Sequence, residues 1–581
     1  MEKNILVVPA FEPGRGGGHL MRCTTLVRRL RDSGMEAWLY FTAEENSLLD
    51  NANSEKSWLV SKNGLEGKSW GFIILDRYMT PREELSGWKK IAPVIGIDEG
   101  GSFRDGFDFL IDILIPEKFI LPLPNIVSPS LLPLPEKIKK TENNTVKTRV
   151  LVSFGQEDSA GLGETVTRTL AEKSGESMEI TLLRGSLNSS SSSSYLPAFP
   201  RNVSVIEAVP NLGEHLGEYD LVITHYGITA YEALYAGTPV LLASPTAYHA
   251  KLAKAAGFRT FSINPNINAL KKHCEALAAR YGLDEEGASL AGLFGGFSPQ
   301  VYRHCPVCGK EAQERSAARF KDRTYRRCTR CGIIYMDRTC PPPVEYGREY
   351  FFESYTKQYG KTYLEDFPNL TAMAKRRIAV IKKIFKTQEQ KSLLDIGCAY
   401  GPFLAAARKE GFSASGIDPA EDAVSYVQDK LGIPASCGFF PGCPLPSSPP
   451  YDVVTLWYVI EHFTDCAAAL AEIRRILKSG GILAFSTPSF SGVSGLFSLR
   501  RFLSASPQDH FTLWSPKTCK KALALAGFRV KKTVISGHHP ERFPFLGKFA
   551  KGKKSLLYLP LLAISRIFGL GDTFEVYAEA I

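Results

Sequence analysis

LLDIGCAYGPF (residues 393–403) runs from an apolar stretch into a turn with glycines at 397 and 401, and leaves on Pro402 and Phe403. The run before the turn reads as a strand buried on both faces, and the residues after it read as a helix. Asp395 ends that strand, while Gly397 and Gly401 let the backbone approach a ligand closely. Some way on, ASGIDP (414–419) sets Asp418 at the end of the next strand, where one carboxylate can take both hydroxyls of a ribose. YDVVTLWYVIEHF (451–463), GILAFST (481–487), FRVKKTVIS (528–536) and TFEVYAEAI (573–581) continue the alternation and finish on two consecutive strands. The predicted fold class is α/β, with doubly wound sheets.

From 372 to 581 these motifs, in this order, resemble the class I S-adenosylmethionine (SAM) methyltransferases, especially the branch near the ubiquinone-pathway O-methyltransferases. The resemblance implies a seven-stranded Rossmann-like domain over 345–581, with SAM held by Asp395, Gly397, Cys398, Gly401 and Asp418. It also implies Leu456, Trp457 and Tyr458 along the methionine moiety. The turn holds no pyrophosphate, and its D-x-G-C form suits a sulfonium nucleoside better than a dinucleotide. Methyl transfer needs in-line approach of a nucleophile, so positioning carries much of the catalysis. His462 is the first candidate for taking a hydroxyl proton and His510, in QDHFTLWS, the second. A helix-capping or core role is the competing reading of His462. That branch has an acidic metal ligand three residues before its Glu-His pair; Tyr458 stands there in this chain, which argues against a catalytic magnesium. Tyr350, Phe351, Tyr355 and Tyr359 read either as a lid over the cofactor or as an apolar strap.

CPVCG (305–309) and CTRCG (328–332) present Cys305, Cys308, Cys328 and Cys331 as two C-x-x-C knuckles. Each knuckle offers two sulfurs on one tight turn, so the pair predicts a zinc ribbon over 302–340. Four protein ligands leave no position for water, which makes the Zn2+ structural.

A second glycine-rich turn, PGRGGGHLMRC (13–23), lies between the strand NILVVP (4–9) and a helical stretch. Short buried strands recur through AWLYFT, GFIILD, PVIGID and FLIDIL, and again through RVLVSFG, EITLLRG, VSVIEAV, LVITHYG and PVLLASP. Two such arrays, 1–137 and 148–280, predict two facing Rossmann-like lobes, with proline-rich residues 115–137 between them and a serine tract (188–195) as a surface loop. The glycines free amides for an anion, and His19 can act as a general base. A plain turn with a capping histidine is the alternative. In order along residues 1–280, GGGHLMRC, ILDRYMT, IGIDEGG, VSFGQEDS and ITHYGITAYEALYAGTPV resemble the UDP-sugar hydrolase of the pseudaminic acid pathway and the wider GT-B glycosyltransferase group. The resemblance implies that His19 activates water at the anomeric carbon, with Gly16, Gly18, Arg22, Asp76 and Tyr78 on the N-lobe side. Gly227 and Thr229 then lie near the phosphates and Glu232 at the ribose. Tyr226, Ile228, His249 and Gln156 depart from that family's Gly, Ser, Gln and Gly, and bulky side chains there are expected to narrow the phosphate nest. Asp98, Glu99 and Asp105 read as solvated loop carboxylates rather than an acid–base pair.

At 581 residues the chain exceeds a single core, and 44% apolar with 22% charged residues is ordinary globular composition. A net charge of +10 favours anionic partners such as nucleotides, phosphates or anionic lipid without demanding nucleic acid, and a nucleotide sugar or glycan is the expected substrate. Four of twelve cysteines fall in the knuckles, which reads as metal rather than disulfide, and MEKNILVVPAF carries no signal-peptide pattern. A cytoplasmic location is expected. Pro560 and Arg566 interrupt SLLYLPLLAISRIFGLG (555–571), so it reads as a packed lid helix or a peripheral membrane contact rather than a span. Together the features predict a bifunctional sugar- or glycan-modifying enzyme: a SAM-dependent O-methyltransferase fused to a nucleotide-sugar hydrolase or glycosyltransferase-like pair. One alternative makes the front half bind a nucleotide sugar without turnover. Another is an RNA methyltransferase gripping RNA through the ribbon, which the sugar-nucleotide front half disfavours.

Overall fold

The computed structural model describes residues 4–10, 18–41, 56–114, 122–132, 134, 147–155, 158, 160–185, 199–207, 209, 211–283, 289–312, 315–342, 350–385, 391–550, 552 and 554–581. Gly16, Gln156, the serine tract and the side chains of Tyr350 and Tyr359 lie outside the described residues. The chain divides into two compact units, residues 1–300 with 319–323, and residues 301–318 with 324–581. The two arrays expected as separate lobes share the first unit, and the ribbon, apart from residues 319–323, shares the second with the methyltransferase region.

The first unit contains a seven-stranded sheet in the order Leu59–Val60, Ala37–Tyr40, Asn4–Pro9, Trp70–Asp76, Val94–Ile97, Phe109–Asp112 and Ile126–Val127. Every neighbouring pair is parallel. Its central strands are apolar on both faces because helices cover both, and Leu6, Val7, Ile73 and Ile74 are fully buried. A second parallel sheet runs Val203–Ile206, Met178–Leu183, Thr148–Ser153, Leu221–Thr224 and Val240–Leu242. The lobes meet where the Tyr226 hydroxyl donates to the carbonyl of Leu114, and where Tyr78 and Tyr248 pack edge to face at 5.7 Å.

The second unit is built on β1 (Ser392–Ile396), β2 (Ser413–Asp418), β3 (Ala435–Cys437), β4 (Tyr451–Trp457), β5 (Leu477–Pro488), β6 (Phe528–Ser536) and β7 (Thr573–Ala580). The spatial order is β3-β2-β1-β4-β5-β7-β6, with β7 antiparallel to both neighbours. Chain direction of travel reverses between β1 and β4, which opens a crevice outside their carboxyl ends. The ribbon is continuous with this core. Thr512–Leu513 pairs antiparallel with Ile334 and Tyr335, and Cys305, Cys328 and Cys331 pack in the same apolar cluster as Ile396, Leu456 and Trp514. Helix Tyr558–Ile567 is ten residues long, and among the described residues no helix is long and apolar enough to cross a membrane.

Candidate functional site

The glycine turn after β1 is held open by backbone conformation. Gly397 and Gly401 have φ of 73° and 77°, and a Cβ on Gly397 would stand 2.4 Å from Val459 Cγ2. Only glycine therefore lets the turn lie against the segment that carries Glu461 and His462. Asp395 is buried and accepts a 2.6 Å bond from Thr455 Oγ1. Asp418 accepts from the amides of Ala399 and Ala420 at 2.7 and 3.0 Å. Burial pushes these carboxyls up to about 8 and about 6, respectively. Cys398 is buried beside them. Two acids at adjacent strand ends beside an open glycine turn suit a cationic nucleoside.

An aromatic group packs onto this turn. Phe351 meets Tyr363 and Tyr400 at 5.3 Å each, and Tyr355 meets Tyr363 at 5.0 Å. The stretch thus covers residues 399–400 of the turn itself. Tyr363 escaped sequence reading. Burial pushes its hydroxyl well up, with Asp395 and Asp418 among the neighbouring charges.

Trp457 packs on Phe403 at 5.1 Å under the Arg377 guanidinium, and its Nε1 is buried without a hydrogen-bond partner among the described residues. Leu456 corrects an expectation. Strand alternation turns it into the core with Ile396, Phe485 and Ile460 rather than along a ligand. Tyr458 sits at φ 61°, a left-handed conformation that a bulky residue seldom adopts. Such strain persists where the surroundings fix it.

Beyond Tyr458 lies a cluster of titratable groups. His462 Nδ1 is 3.0 Å from Asp509 Oδ2, and the rings of His462 and His510 stand edge to face at 4.8 Å. Glu461 is 1% exposed, and neither carboxylate oxygen has a hydrogen-bond partner among the described residues. Burial lifts its carboxyl to about 7. Burial pulls the His462 imidazole down, but the bond to Asp509 and the charge of Glu461 hold it above its usual value. Burial and the His462 charge pull His510 down to about 3. The two imidazoles are therefore pushed apart, His462 upward and His510 downward, which makes His462 the stronger base. One ligand atom each from Glu461, His462 and His510 lies within 4.8 Å of the others. Two imidazoles and one carboxylate suit a borderline divalent metal better than Mg2+.

In the ribbon, Cys305 and Cys331 sulfurs are 3.7 Å apart and those of Cys308 and Cys328 3.5 Å apart. A disulfide needs about 2.05 Å. Tetrahedral thiolates around zinc, with bonds near 2.3 Å, stand about 3.8 Å apart. The four-sulfur set is compatible with Zn2+, and among the described residues no fifth donor group accompanies it.

In the first unit, His19 occupies the first turn of helix Gly18–Asp32, with Nδ1 2.8 Å from Asp76 Oδ1 at the end of strand Trp70–Asp76. Arg22, expected to line the substrate side, is instead buried and spent. It grips Asp76 through Nε and Nη2 at 2.7 and 2.6 Å and Asp98 through Nη1 at 2.7 Å. Arg22 and Asp76 thus hold the His19 ring rather than a ligand. Asp98 and Glu99 are also not the solvated carboxylates expected. Asp98 is buried and accepts from the amides of Ile113 and Leu114, and Glu99 is buried against Thr80 and Gly101. Tyr78 lies over Gly100, where a Cβ would meet its ring at 2.9 Å.

In the C-lobe, Gly227 begins helix Ile228–Tyr235, which carries Thr229 and Glu232. Burial lifts Glu232 to about 7. Tyr226, expected to crowd the phosphate nest, is turned into the core and bonds Tyr231 at 2.9 Å, so it leaves the Gly227 turn clear. His225, which sequence reading passed over, stacks on Phe154 between Gly155 and Gly227, facing His249 at 6.1 Å. Burial pulls it down to about 4.

The crevice, its two strand-end acids and the reversed last strand define a methyltransferase of the parallel-sheet class. Residues 370–533 match the family described as "Methyltransferase domain". Among curated proteins, the ubiquinone biosynthesis O-methyltransferase of Thiobacillus denitrificans is 31% identical over 161 residues, covering 26% of this chain and 69% of that protein. That of Methylococcus capsulatus is 32% identical over 102 residues, covering 17% of this chain and 43% of that protein. The chain spans about half the length of the first curated relatives it matches. Among solved structures, a SAM-dependent methyltransferase from Archaeoglobus fulgidus aligns over 39% of this chain and 99% of its own, at 19% identity and a TM-score of 0.29. The glycotransferase of kitacinnamycin aligns over 48% of this chain and 96% of its own, at 14% identity and a TM-score of 0.35. Through its second unit the chain belongs to the SAM-dependent methyltransferase family that includes the ubiquinone biosynthesis O-methyltransferases.

Proposed function

We propose that the chain methylates a hydroxyl of a sugar or glycan and that its first unit binds and cleaves a nucleotide sugar. The observation that carries the sugar reading is the His19–Asp76 contact at 2.8 Å, locked from behind by Arg22. A carboxylate on Nδ1 fixes the tautomer and leaves Nε2 to take a proton from water. Half-buried Glu232 supports ribose binding, because a carboxylate with a raised pKa gains from hydroxyl donors.

In the second unit, SAM supplies an electrophilic methyl group when bound. Asp395, Asp418 and the glycine turn would hold SAM so that the acceptor oxygen could take its methyl group, leaving a neutral thioether. The hydroxyl proton leaves to Glu461, whose carboxyl burial lifts to about 7, into the range of a general base. Protonated His462, oriented by Asp509, stabilises negative charge growing on the acceptor oxygen.

Mass spectrometry after incubation with SAM and a panel of nucleotide sugars tests this, with a quinone-type phenol as the second arm. The expected product is a sugar one methylene heavier. Asp76→Asn should slow nucleotide-sugar cleavage by about 100-fold or more, on the scale of a lost His orienter. Methylation of the phenol alone, or no cleavage in the unaltered protein, overturns the sugar reading.

A further inference from the structure

We propose that Arg319, carried on the hairpin between the two cysteine knuckles, is a positioning residue for His19 in the first unit. Only its effect on turnover rests on the nucleotide-sugar reading; the placement of the imidazole does not.

Strands Ser316–Phe320 and Arg323–Arg327 lie between Cys308 and Cys328 in the chain, and residues 319–323 at their turn belong to the first unit. The Arg319 side chain is fully buried. A guanidinium is seldom buried unless its donors are taken up. Arg319 Nη1 donates to the carbonyl of Asp108 at 3.0 Å and to Asn125 Oδ1 at 3.2 Å. Its Nη2 donates to the carbonyls of Phe107 and Asp105 at 2.7 and 3.0 Å. Asn125 replies through Nδ2, which donates to the carbonyls of Phe320 and Arg323 at 2.8 and 3.0 Å. The planar fork therefore fits the backbone of the 105–108 turn, a match that the single ammonium of lysine does not reproduce.

That turn starts strand Phe109–Asp112, and the strand leads through buried charges to His19. Arg104, on the near side of the turn, takes Asp112 through Nη1 and Nη2 at 3.0 and 2.7 Å. Burial lifts the Asp112 carboxyl to about 7, and the charges of Arg104 and Arg319 keep it from rising further. The next two amides, Ile113 and Leu114, both donate to Asp98 Oδ1 at 2.7 Å. Asp98 Oδ2 takes Arg22 Nη1, Arg22 grips Asp76, and Asp76 holds His19 Nδ1.

Arg104, Asp112, Asp98, Arg22 and Asp76 are all buried. Water cannot replace a lost partner in such a chain, and close packing passes a shift of one member to the next. Asp98 also stands at φ 49°, a conformation that persists only where neighbours fix it, and the amides of 113 and 114 are among those neighbours. Arg319 thus does more than fasten its own hairpin. The carbonyls it holds set the start of the strand whose far end orients Asp98, and through it the Arg22–Asp76 pair behind His19.

Hydrogen exchange read by mass spectrometry on the full-length protein tests the coupling without a substrate. Arg319→Ala should speed exchange about tenfold or more in residues 104–114 and in helix Gly18–Asp32, with residues 391–488 unaltered. Asn125→Ala, which releases the carbonyls of Phe320 and Arg323, should act in the same direction and serves if Arg319→Ala does not fold. Turnover is then measured well below each variant's melting temperature, so that every molecule is folded. The kcat for nucleotide-sugar cleavage should fall about tenfold or more with KM changed less than about twofold, as expected for a displaced proton acceptor. Arg319→Lys, which keeps the charge and loses the fork, should show the same loss. Faster exchange confined to 104–126 and 316–327, with helix Gly18–Asp32 unaltered, overturns the proposal. So does an unchanged kcat in a variant whose helix exchanges faster, or full activity in Arg319→Lys. If the unaltered protein cleaves no nucleotide sugar, the sugar reading falls, and the exchange pattern alone decides the role of Arg319.

Discussion

Asp395 loses its water before any ligand replaces it, and the fold bears that cost at the end of β1. Its pKa is lifted to about 8 and that of Asp418 to about 6, whereas the unfolded chain ionises both near 4. From pH 4 upward the unfolded chain has released protons that the folded chain keeps. Stability therefore falls as pH rises, up to 6 for Asp418 and up to 8 for Asp395, at no more than about 1.4 kcal/mol per unit for each group. A sulfonium beside Asp395 favours the ionised form and opposes that fall. Thermal unfolding between pH 4.5 and 8 should show the decline without SAM and a much flatter profile with it. Asp395→Asn should flatten the SAM-free profile and weaken SAM binding, by calorimetry, about tenfold or more. A decline that SAM leaves unaltered would place Asp395 away from the cofactor.

At the scale of elements, the cysteine knuckles stabilise more than themselves. Their sulfurs pack against the methyltransferase core, and Thr512–Leu513 adds a strand from that core to the ribbon sheet. With Zn2+ on the four cysteines, a chelator or the substitution Cys328→Ser should lower the melting temperature by about 10 °C or more, because a structural zinc site contributes folding free energy outright. SAM affinity should fall with it. A ribbon that melts separately, leaving SAM binding intact, would show the two to be independent. Sequence legibility followed the same division. LLDIG, YDVVTLW and TFEVYAEA declared themselves as strands because buried runs of that length have few alternatives, and Asp395 and Asp418 were found because they end such runs. Two-residue strands such as Ile126–Val127 and Thr512–Leu513 were invisible, since two residues carry no period. Residue type also hid burial and partners. Nothing near position 22 shows that its guanidinium is consumed by carboxylates 54 and 76 residues away. Glu461 lay beside a histidine already chosen and was passed over, because its missing partners show only in three dimensions.

At the scale of the molecule, each set of chemical groups is confined to one unit. His19, Asp76, Arg22 and Glu232 belong to the first, and Asp395, Asp418, Glu461 and His510 to the second. The two networks share no residue. Substitutions without common partners add in free energy, so their effects on rates should multiply. His19→Ala should abolish nucleotide-sugar cleavage and change methyl transfer to an independent acceptor by less than about twofold. Glu461→Gln should do the reverse, lowering methyl transfer by about 100-fold or more, the usual worth of a positioned proton acceptor. The doubly substituted protein should then show each loss unchanged. Steady-state rates on the two separate substrates decide it. If His19→Ala slows methylation of an acceptor that the first unit never handles, the units are coupled, and the two chemistries are stages of one cycle rather than neighbours on one chain.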